Sequence, residues 1–457
     1  MANEKIFIGP KLRELRQQRD LTQAQLAVQL GVSASYVNLV EHNQRSASVK
    51  FLVKLSEKFG LEMLELTNSD NSNQLSDLRR MSQDPAFGDA KPDVEQLRAA
   101  LDHSPKLVEG ALNIFNAYKI FGERLAEYSE ATSARESTLS IEQGVHDFFR
   151  NNNNYFAPLE ECAEQCYVQE IADRHELYGA LRAHLSEQLG VEIIHVQNEI
   201  MGDTLCQFDS RKSQIQISDA LDHTNKVFHL AHQIARIEFG DLLAEQLPTF
   251  LRDNAQAAER CITELANYFA AAMIMPYEKF HKAAVDARYD VDLLATRFSV
   301  SYEQVCHRLT TLQRPGKRGI PFFFLRIDRG GNVSKRFNAT PIQLARYGGA
   351  CPRLDVHYCF RVPGRILTQV AEMPDHSRYL TINRTVDRPA VRYSTEDKRL
   401  ALSIGCPVEY AKETVYGQDI DVSNSRTITP IGVNCRQCPR TNCRQRAHDP
   451  FHVDLQL

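Results

Sequence analysis

The stretch that decides the amino-terminal fold is residues 21–48, LTQAQLAVQLGVSASYVNLVEHNQRSAS. Thr22 can cap a helix, and Gln25 follows it at the spacing of a capping box. Gly31 lies where the turn after that helix needs a left-handed residue, and Ser33 can cap the next helix. The stretch therefore predicts two short helices joined by a tight turn.

Each of these two helices has an inner and an outer face. Leu26, Ala27 and Leu30 face inward on the first helix, where the small Ala27 lets the second helix cross closely. Val37 and Val40 face inward on the second helix at i, i+3 spacing. The opposite face of the second helix is then available to enter a DNA major groove. The candidate DNA contacts are Thr22, Gln23, Ser33, Ala34, Ser35, Asn38, Leu39 and Arg45.

The charge of this region also indicates a polyanionic partner. Residues 1–60 contain nine Lys or Arg and five Asp or Glu, an excess of +4, although the whole chain has a net charge of −4. Such side chains and helix amide ends hold phosphates, which gives affinity but little sequence choice. A small helical bundle without this function is the alternative, and it leaves the turn glycine and the spacing unexplained.

These motifs resemble the lambda-repressor-like (Xre) helix-turn-helix family over about residues 9–66. The resemblance implies a domain of five helices that binds double-stranded promoter DNA. It also implies a homodimer, because the DNA sites of this family are usually two-fold.

The composition predicts a globular chain of several domains. Apolar residues make up 43% and charged residues 25% of the 457 residues. No run approaches the about 18 apolar residues of a membrane span, so no membrane partner is expected. The first residues lack an apolar signal core, which predicts a cytoplasmic protein whose 11 cysteines are reduced or bind metal.

The element pattern predicts a multidomain, mainly α fold. A long helix is expected over 158–189, a strand at 191–196, a hairpin at 206–218, and helices near 222–238, 255–275 and 291–312. Strands are expected at IPFFFLRID and VSKRF, beyond PGKRG. The predicted domains are a helix-turn-helix domain (1–68), a linker (69–92), a helical bridge or dimer element (93–150), an α+β ligand-sensing domain (151–314) and an α+β carboxy-terminal domain (315–457).

The helix KVFHLAHQIARIE (226–238) invites comparison with zinc peptidases. A working site needs two His at i, i+4 and a Glu beside the first as general base. His232 supplies the first His, but Gln233 replaces the Glu and cannot take a proton from water. Arg236 replaces the second His and repels a metal cation. His229 can in principle substitute as a ligand, although partly buried, hydrogen-bonded helix histidines are the plainer interpretation.

A downstream helix, ERCITELANYFAAAMIMP (259–276), extends this comparison. It resembles the ImmA/IrrE peptidase family, and the resemblance places Glu264 at the third-ligand position. The resemblance implies that residues 158–312 have that α+β fold with one or two of three metal ligands left. We therefore expect a pseudo-enzyme that binds a ligand. An active metallopeptidase that cleaves a repressor is the alternative.

The tail NCRQCPRTNCRQRAHDP (434–450) carries a metal-binding pattern. Cys435, Cys438 and Cys443 form C-x2-C-x4-C, and Cys406 is a candidate fourth ligand. Four thiolates suit a tetrahedral zinc or an iron–sulfur cluster, and the spacing does not decide between them. The surrounding arginines favour thiolates, or contact DNA phosphate. Free thiols in a basic tail are the alternative.

The combination of these parts, with the tail TPIGVNCRQCPRTNCRQRA, resembles the short-chain fatty acyl coenzyme A regulators over nearly the whole chain. The resemblance implies a bacterial transcription regulator that senses an acyl coenzyme A and controls short-chain fatty acid metabolism. It also implies a four-iron, four-sulfur (4Fe-4S) cluster on Cys406, Cys435, Cys438 and Cys443. An iron–sulfur redox sensor is a further alternative.

An acyl coenzyme A needs cations for its phosphates and an apolar slot for its acyl chain. Many residues of the middle region meet this description, and the sequence does not choose among them. The candidates are Arg150, Tyr155, Phe156, Arg182 and Arg252.

Overall fold

The structure is a computed structural model of the chain. It describes residues 9–19, 21–41, 45–59, 71–84, 87, 91–128, 134–166, 176–202, 204–342, 344, 349–387, 399–418, 420–421 and 427–448, without some of their side chains, those of 120–140 among them. The chain divides into two compact units, one within residues 1–131 and one within residues 132–450. No described helix is both long enough and apolar enough to cross a membrane.

The first unit is helical. Its core forms where α4 places Phe51, Leu52 and Leu55 on one face, and all three side chains are buried. The fifth helix predicted for this domain falls on residues outside the description. The helices are α1 (Gly9–Gln18), α2 (Gln23–Leu30), α3 (Ala34–Glu41), α4 (Val49–Phe59), α5 (Asn71–Gln83), α6 (Val94–His103) and α7 (Pro105–Tyr128).

The linker predicted over 69–92 is wrong over most of its length, because α5 forms there. Leu75, Leu78 and Met81 recur every three residues and give this polar segment a stripe that faces a small core. Leu78 is buried in that core together with Leu97 of α6. The polar composition of this segment indicated a linker, but its few apolar residues form one face of an amphipathic helix that packs on neighbouring helices.

The second unit begins with α8, so the helical bridge predicted over 93–150 is divided between the units. The long helix predicted over 158–189 is interrupted, because α9 ends before Cys166 and α10 begins at Leu177. The helix predicted over 291–312 is likewise two helices, separated at Ser299, whose φ of +52° is left-handed. The helices are α8 (Ala134–Asn151), α9 (Ala157–Gln165), α10 (Leu177–Ala183), α11 (Asn198–Met201), α12 (His223–Glu238), α13 (Gly240–Glu245), α14 (Thr249–Arg252), α15 (Ala255–Ile274), α16 (Tyr277–Asp286), α17 (Val291–Phe298) and α18 (Tyr302–Leu309).

Two sheets complete the second unit. The smaller sheet has the order β1-β3-β2, with β1 parallel to β3 and β2 antiparallel to it, which confirms the predicted strand and hairpin. The larger sheet has the order β5-β4-β8-β7-β6-β9 and is antiparallel except between β6 and β9. The strands are β1 (Glu192–Val196), β2 (Cys206–Asp209), β3 (Gln214–Ser218), β4 (Phe323–Ile327), β5 (Val333–Asn338), β6 (Leu367–Glu372), β7 (Arg378–Asp387), β8 (Arg399–Pro407) and β9 (Ile428–Pro430).

Helices α12 and α15 pack against each other in the core of this unit. Small residues permit the close contact, since Ala231 and Ala235 of α12 and Ala266 of α15 are fully buried. The packing brings the helix of His232 beside the helix of Glu264. Strand β5 packs against α8, which adds a third wall to this region.

Candidate functional site

The helix-turn-helix has the local structure that its sequence predicts. The Gln25 N–H donates to the Thr22 hydroxyl over 3.2 Å, and the Thr22 N–H donates to Oε1 of Gln25 over 2.8 Å. Gly31 has φ +61°, and its N–H donates to carbonyls at the end of α2. Ser33 caps α3, because its hydroxyl accepts the Tyr36 N–H over 3.1 Å. The inward residues of both helices are buried, as predicted.

The predicted contact residues lie at the amino-terminal ends of α2 and α3, at Asn38 and Leu39 in the second half of α3, and at Arg45 beyond α3. Thr22, Ser33, Ala34, Ser35, Asn38 and Arg45 are exposed, and Gln23 and Leu39 are half-buried. Gln23 Nε2 donates to Oδ1 of Asn38 over 3.4 Å, so the two helices present one connected polar surface. The Arg45 guanidinium lies 5.3 Å from the ring centroid of Tyr36, which orients its charge. This arrangement suits a helix entering a major groove.

An ion pair between the half-buried Arg16 and the buried Glu41 supports that surface, and the sequence pattern did not predict it. Glu41, at the end of α3, accepts a hydrogen bond from Arg16 Nε over 2.6 Å and another from Gln23 Nε2 over 2.7 Å. Arg16 also donates to the Leu21 carbonyl over 2.8 Å. The pair fixes α1, α2 and α3 together, and no local sequence signal predicts a contact between residues 25 positions apart.

The altered peptidase motif is held by polar contacts that use its side chains. Arg236 donates to Oε1 of Glu259 over 2.6 Å and to the Thr263 hydroxyl over 3.3 Å, so it bridges α12 to α15. Gln233 is buried and its amide points to Sγ of Cys206 at 3.8 Å. Burial, assisted by the charges of His229 and Arg236, lowers the pKa of His232 to about 4.

Glu264, the predicted third ligand, is buried and paired with cations. Its carboxylate lies 2.8 Å from Arg260 Nη1 and 3.4 Å from Lys335 Nζ. Burial acts to raise the pKa of this carboxyl, but Lys335 and Arg260, with smaller contributions from His307 and Asn267, hold it at about 2. A side chain that binds zinc in a working site is occupied here by two ion pairs.

A cleft with a cavity volume of about 80 Å³ opens beside Glu264. Its cations are Arg260, Lys335 and Arg336, and its acids are Glu142 and Glu264. The side chains come from α8, α15 and β5. Its other lining residues are Gln143, Val145, His146, Phe149, Val333, Ser334 and Phe337.

The side chains that line the cleft include three cations against two acids, together with the aromatic rings of Phe149 and Phe337. Burial lowers the pKa of His146 to about 4, and its Nε2 has no hydrogen-bond partner among the described residues. Phe149 and Phe337 line both the cleft and an adjoining cavity of about 10 Å³, whose other lining residues are Ala271, Tyr268, Glu264, His307, Arg308 and Thr311. Such a site can accept an anionic head and a short apolar tail.

The five ligand candidates chosen from the sequence are placed elsewhere, and none of them lines this cleft. Phe156 is buried in the main core against Tyr268. The Tyr155 hydroxyl accepts from Arg314 Nε over 3.1 Å. Arg182 is exposed, and Arg252 donates to the Glu245 carbonyl, at the end of α13, over 2.8 Å. Arg150 is half-buried at the end of α8.

The predicted cysteine set is divided by the structure. Cys435, Cys438 and Cys443 line one cavity of about 20 Å³, and the fourth cysteine in that cavity is Cys351. Cys406 is buried on β8 within the main core, where it pairs with Leu380 of β7. Burial and then two nearby acids, Glu413 and Glu409, raise the pKa of the Cys406 thiol, whereas the cavity is rimmed by arginines. The structure therefore does not bring Cys406 to the other three.

Arginines fix the backbone around the cysteine cavity. Arg446 donates to the Cys435 carbonyl over 2.8 Å and to the Cys438 carbonyl over 3.0 Å. Arg440 donates to the Ile431 carbonyl over 3.0 Å. A Cβ on Gly432 would lie 2.6 Å from Sγ of Cys438, so only glycine fits there. Across the described residues, no three His, Cys, Asp or Glu side chains already stand in an arrangement that could hold a metal ion.

Comparisons with known families match three segments of the chain. A helix-turn-helix model matches residues 12–66, a model of the IrrE N-terminal-like domain matches 186–310, and a model of the carboxy-terminal domain of short-chain fatty acyl coenzyme A regulators matches 311–457. The fold and sites define a helix-turn-helix transcription regulator whose second unit contains a peptidase-like fold.

The relatives extend over almost the full chain. The propionyl-CoA carboxylase regulator of Cereibacter sphaeroides is 36% identical over 99% of this chain and 96% of its own length. The regulator RamB of Mycobacterium tuberculosis is 37% identical over 99% and 96%, and PrpR of the same species is 34% identical over 96% and 91%. A solved structure of a Mycobacterium tuberculosis transcriptional regulator has 35% identity and a TM-score of 0.64, covering 68% of this chain and 94% of that one. The chain belongs to the short-chain fatty acyl coenzyme A regulator family.

Proposed function

We propose that this regulator binds promoter DNA through α2 and α3 and senses a short-chain acyl coenzyme A in the cleft beside Glu264. The observation that carries the proposal is the pairing of Glu264 with Arg260 and Lys335. It converts the third-ligand position of a peptidase into part of a cationic cleft. With Gln233 and Arg236 at the other two motif positions, the chain's own residues favour binding over hydrolysis.

The chemistry of the cleft matches the two ends of the ligand. Arg260, Lys335 and Arg336 supply charge-assisted hydrogen bonds for the phosphates. Phe149 and Phe337 supply an apolar entrance for the acyl chain. One relative is named for propionyl-CoA carboxylase, which supports a short acyl chain and a role in short-chain fatty acid metabolism.

Calorimetric titration of the full chain with propionyl coenzyme A tests the site. The double variant Lys335→Met/Arg336→Gln should bind at least about 10-fold more weakly, because each charge-assisted bond contributes about 1.5–3 kcal/mol. Arg182→Gln is the matched control, since Arg182 is exposed and does not line the cleft. Equal weakening in both variants would reject this cleft.

A gel-shift experiment with promoter DNA, with and without the acyl coenzyme A, tests the regulatory output. The ligand should change the affinity for DNA, since an effector must distinguish two states of the protein. An affinity that is identical with and without bound ligand would show that the cleft does not regulate. Stoichiometric zinc at His232 with cleavage lost in His232→Ala would instead establish the peptidase alternative.

We also propose that Cys351, Cys435, Cys438 and Cys443 hold the metal group, with Cys351 in the place predicted for Cys406. The shared cavity, the close fit of Gly432 and the arginine rim support this set. Four thiolates fit a four-iron, four-sulfur cluster, and positive surroundings compensate its net negative charge. Such a cluster would cross-link the tail to the segment between β5 and β6, and a change in its oxidation state would give the regulator a redox input.

Substitutions of Cys351 and of Cys406 form a matched pair of variants. After anaerobic purification, Cys351→Ser should lose the iron, the sulfide and the visible absorption band, and Cys406→Ser should keep them. Loss in Cys406→Ser alone would restore the set predicted from the sequence. A colourless wild-type protein with bound zinc would keep the ligands and change the metal.

A further inference from the structure

The outer layer of the carboxy-terminal domain, formed by segments 349–365 and 427–448, is strongly basic. Both segments cover one face of the large sheet, where Cys351 and Ile431 pack together with Phe323 of β4. The arginines of the outer layer are Arg353, Arg361, Arg365, Arg436, Arg440, Arg444 and Arg446. The two segments contain these seven arginines and one acid, an excess of +6, although the whole chain has a net charge of −4.

Two of these arginines are held in place by neutral groups. Arg446 donates to the Cys435 carbonyl over 2.8 Å, and Arg440 Nη2 donates to the Glu372 carbonyl over 3.0 Å. A carbonyl satisfies the N–H groups of a guanidinium without neutralising its charge. The Glu372 carboxylate lies 3.9 Å from Arg440, but it also pairs with Arg378 over 3.0 Å. The two positive charges are therefore fixed in position with little compensation.

Three further arginines of the outer layer are exposed to solvent. Arg361 and Arg365 are exposed in the first segment, and Arg444 is exposed in the second. The Arg361 guanidinium lies 5.6 Å from the ring centroid of Tyr358, a side chain that is itself 50% exposed. The outer layer thus combines fixed charges with charges that can contact a partner directly.

A metal group on the cysteines would account for only part of this charge. Zinc on four thiolates has a net charge of about −2, against the excess of +6 in the outer layer. Arg361 and Arg365 do not line the cavity of the cysteines. The remaining excess indicates a polyanionic partner.

We propose that the outer layer contacts the phosphate backbone of the DNA that α2 and α3 bind. Arginine suits this partner, because its planar guanidinium donates two hydrogen bonds at once to a phosphate. The helix-turn-helix already brings DNA to the chain, so contact with a second surface of the same chain is intramolecular and needs little affinity of its own. The inference rests on the proposed function only in that the chain binds DNA. Such contacts add affinity and salt dependence but no sequence choice.

Fluorescence anisotropy of the full chain, at salt concentrations from about 50 to 200 mM, tests the outer layer on a promoter duplex and on an unrelated duplex of equal length. Arg361→Gln/Arg444→Gln removes one exposed arginine from each segment. It should lower the slope of log affinity against log salt concentration by about 2 on both duplexes, since each lost phosphate contact removes about 0.9. Arg182→Gln/Arg297→Gln is the matched control, because both arginines are exposed in the second unit and belong to neither segment.

A second variant makes the result independent of metal loading. Arg361→Gln/Arg365→Gln leaves the cysteine tail unchanged and should lower the slope by the same amount. All variants should keep the wild-type thermal unfolding, because the substituted side chains are exposed. A wild-type slope in Arg361→Gln/Arg365→Gln, or an equal decrease in the control, overturns the proposal.

The two duplexes separate this proposal from the proposed function. Equal affinity of the wild type for both duplexes would refute sequence reading by α2 and α3, and the salt slopes would still measure the contacts of the outer layer. Preference for the promoter duplex, with one salt slope shared by the wild type and every variant, would refute the outer layer and leave the proposed function standing.

Discussion

Lys335 Nζ lies 3.4 Å from Oε2 of Glu264, which joins β5 to α15 across 71 residues of sequence. The carboxylate is buried, and Arg260 holds its other oxygen at 2.8 Å. These contacts place positive charge in the lining of a cleft, and they occupy the carboxylate that would bind the metal in a zinc peptidase. The functional proposal depends on Arg260 and Lys335 contacting Glu264 at the position where a zinc peptidase binds its metal.

Glu264→Gln should tighten the binding of propionyl coenzyme A by about 10-fold. The amide keeps the shape of the side chain but removes the internal counter-charge of Arg260 and Lys335, which leaves both cations to the ligand phosphates. Calorimetric titration measures the effect, and Glu259→Gln is the control, because Glu259 pairs with Arg236 and does not line the cleft. Weaker binding in Glu264→Gln than in the control would contradict the assignment.

The free energy of unfolding should fall as the pH drops below about 6.5. Burial lowers the pKa of His146 and of His232 from 6.5 to about 4, so the unfolded chain binds protons that the folded chain refuses in this interval. Glu264, whose pKa is about 2 against an ordinary 4.5, stabilises above pH 4.5 and loses this contribution as the pH falls toward 2.

Urea unfolding at several pH values from 7 to 4 measures this dependence. His146→Gln should flatten the slope between about pH 6.5 and 4, because one proton-binding difference is removed. His376→Gln is the control, since His376 is 83% exposed. An unchanged slope in His146→Gln would show that His146 titrates normally in the folded chain.

Arg308→Met should destabilise the second unit by about 3–5 kcal/mol, because it leaves the Glu160 carboxylate buried without its partner. Both side chains are fully buried, and Arg308 Nη2 donates to Oε2 of Glu160 over 2.9 Å. Denaturant titration measures the loss, with the exposed Arg297→Met expected within about 0.5 kcal/mol of wild type. Glu160→Leu/Arg308→Met should recover much of the stability, and a double variant as unstable as Arg308→Met would contradict the buried-charge explanation.

Asn38→Ala and Arg45→Ala should weaken DNA binding in different ways. Asn38 lies on the outer face of α3, so its loss should cost about 1–3 kcal/mol on the cognate operator and relax the choice at one base pair. Arg45 should contact phosphate, so its loss should weaken binding to all DNA sequences alike. It should also reduce the slope of log affinity against log salt concentration by about 1. Fluorescence anisotropy at several salt concentrations distinguishes the two, and identical behaviour of both variants would reject the division of roles.

Local patterns predicted the helix-turn-helix well. The capping box of Thr22 and the left-handed Gly31 depend on residues three or four positions away, and the structure confirms both. The hairpin of β2 and β3 is local in the same sense. The prediction of a linker over 69–92 was wrong, because the burial of Leu78 depends on helices that follow it in the chain.

The candidate sites show the same boundary between local and distant information. The sequence by itself determined the inward and outward faces of α2 and α3, the loss of the peptidase residues at Gln233 and Arg236, and the clustering of three cysteines within nine residues. Only the tertiary structure decided that Cys351 joins those three and that Lys335 faces Glu264. Periodicity and capping act within a few turns of chain, whereas these partners meet through sheet register and helix packing between segments about 70 or more residues apart.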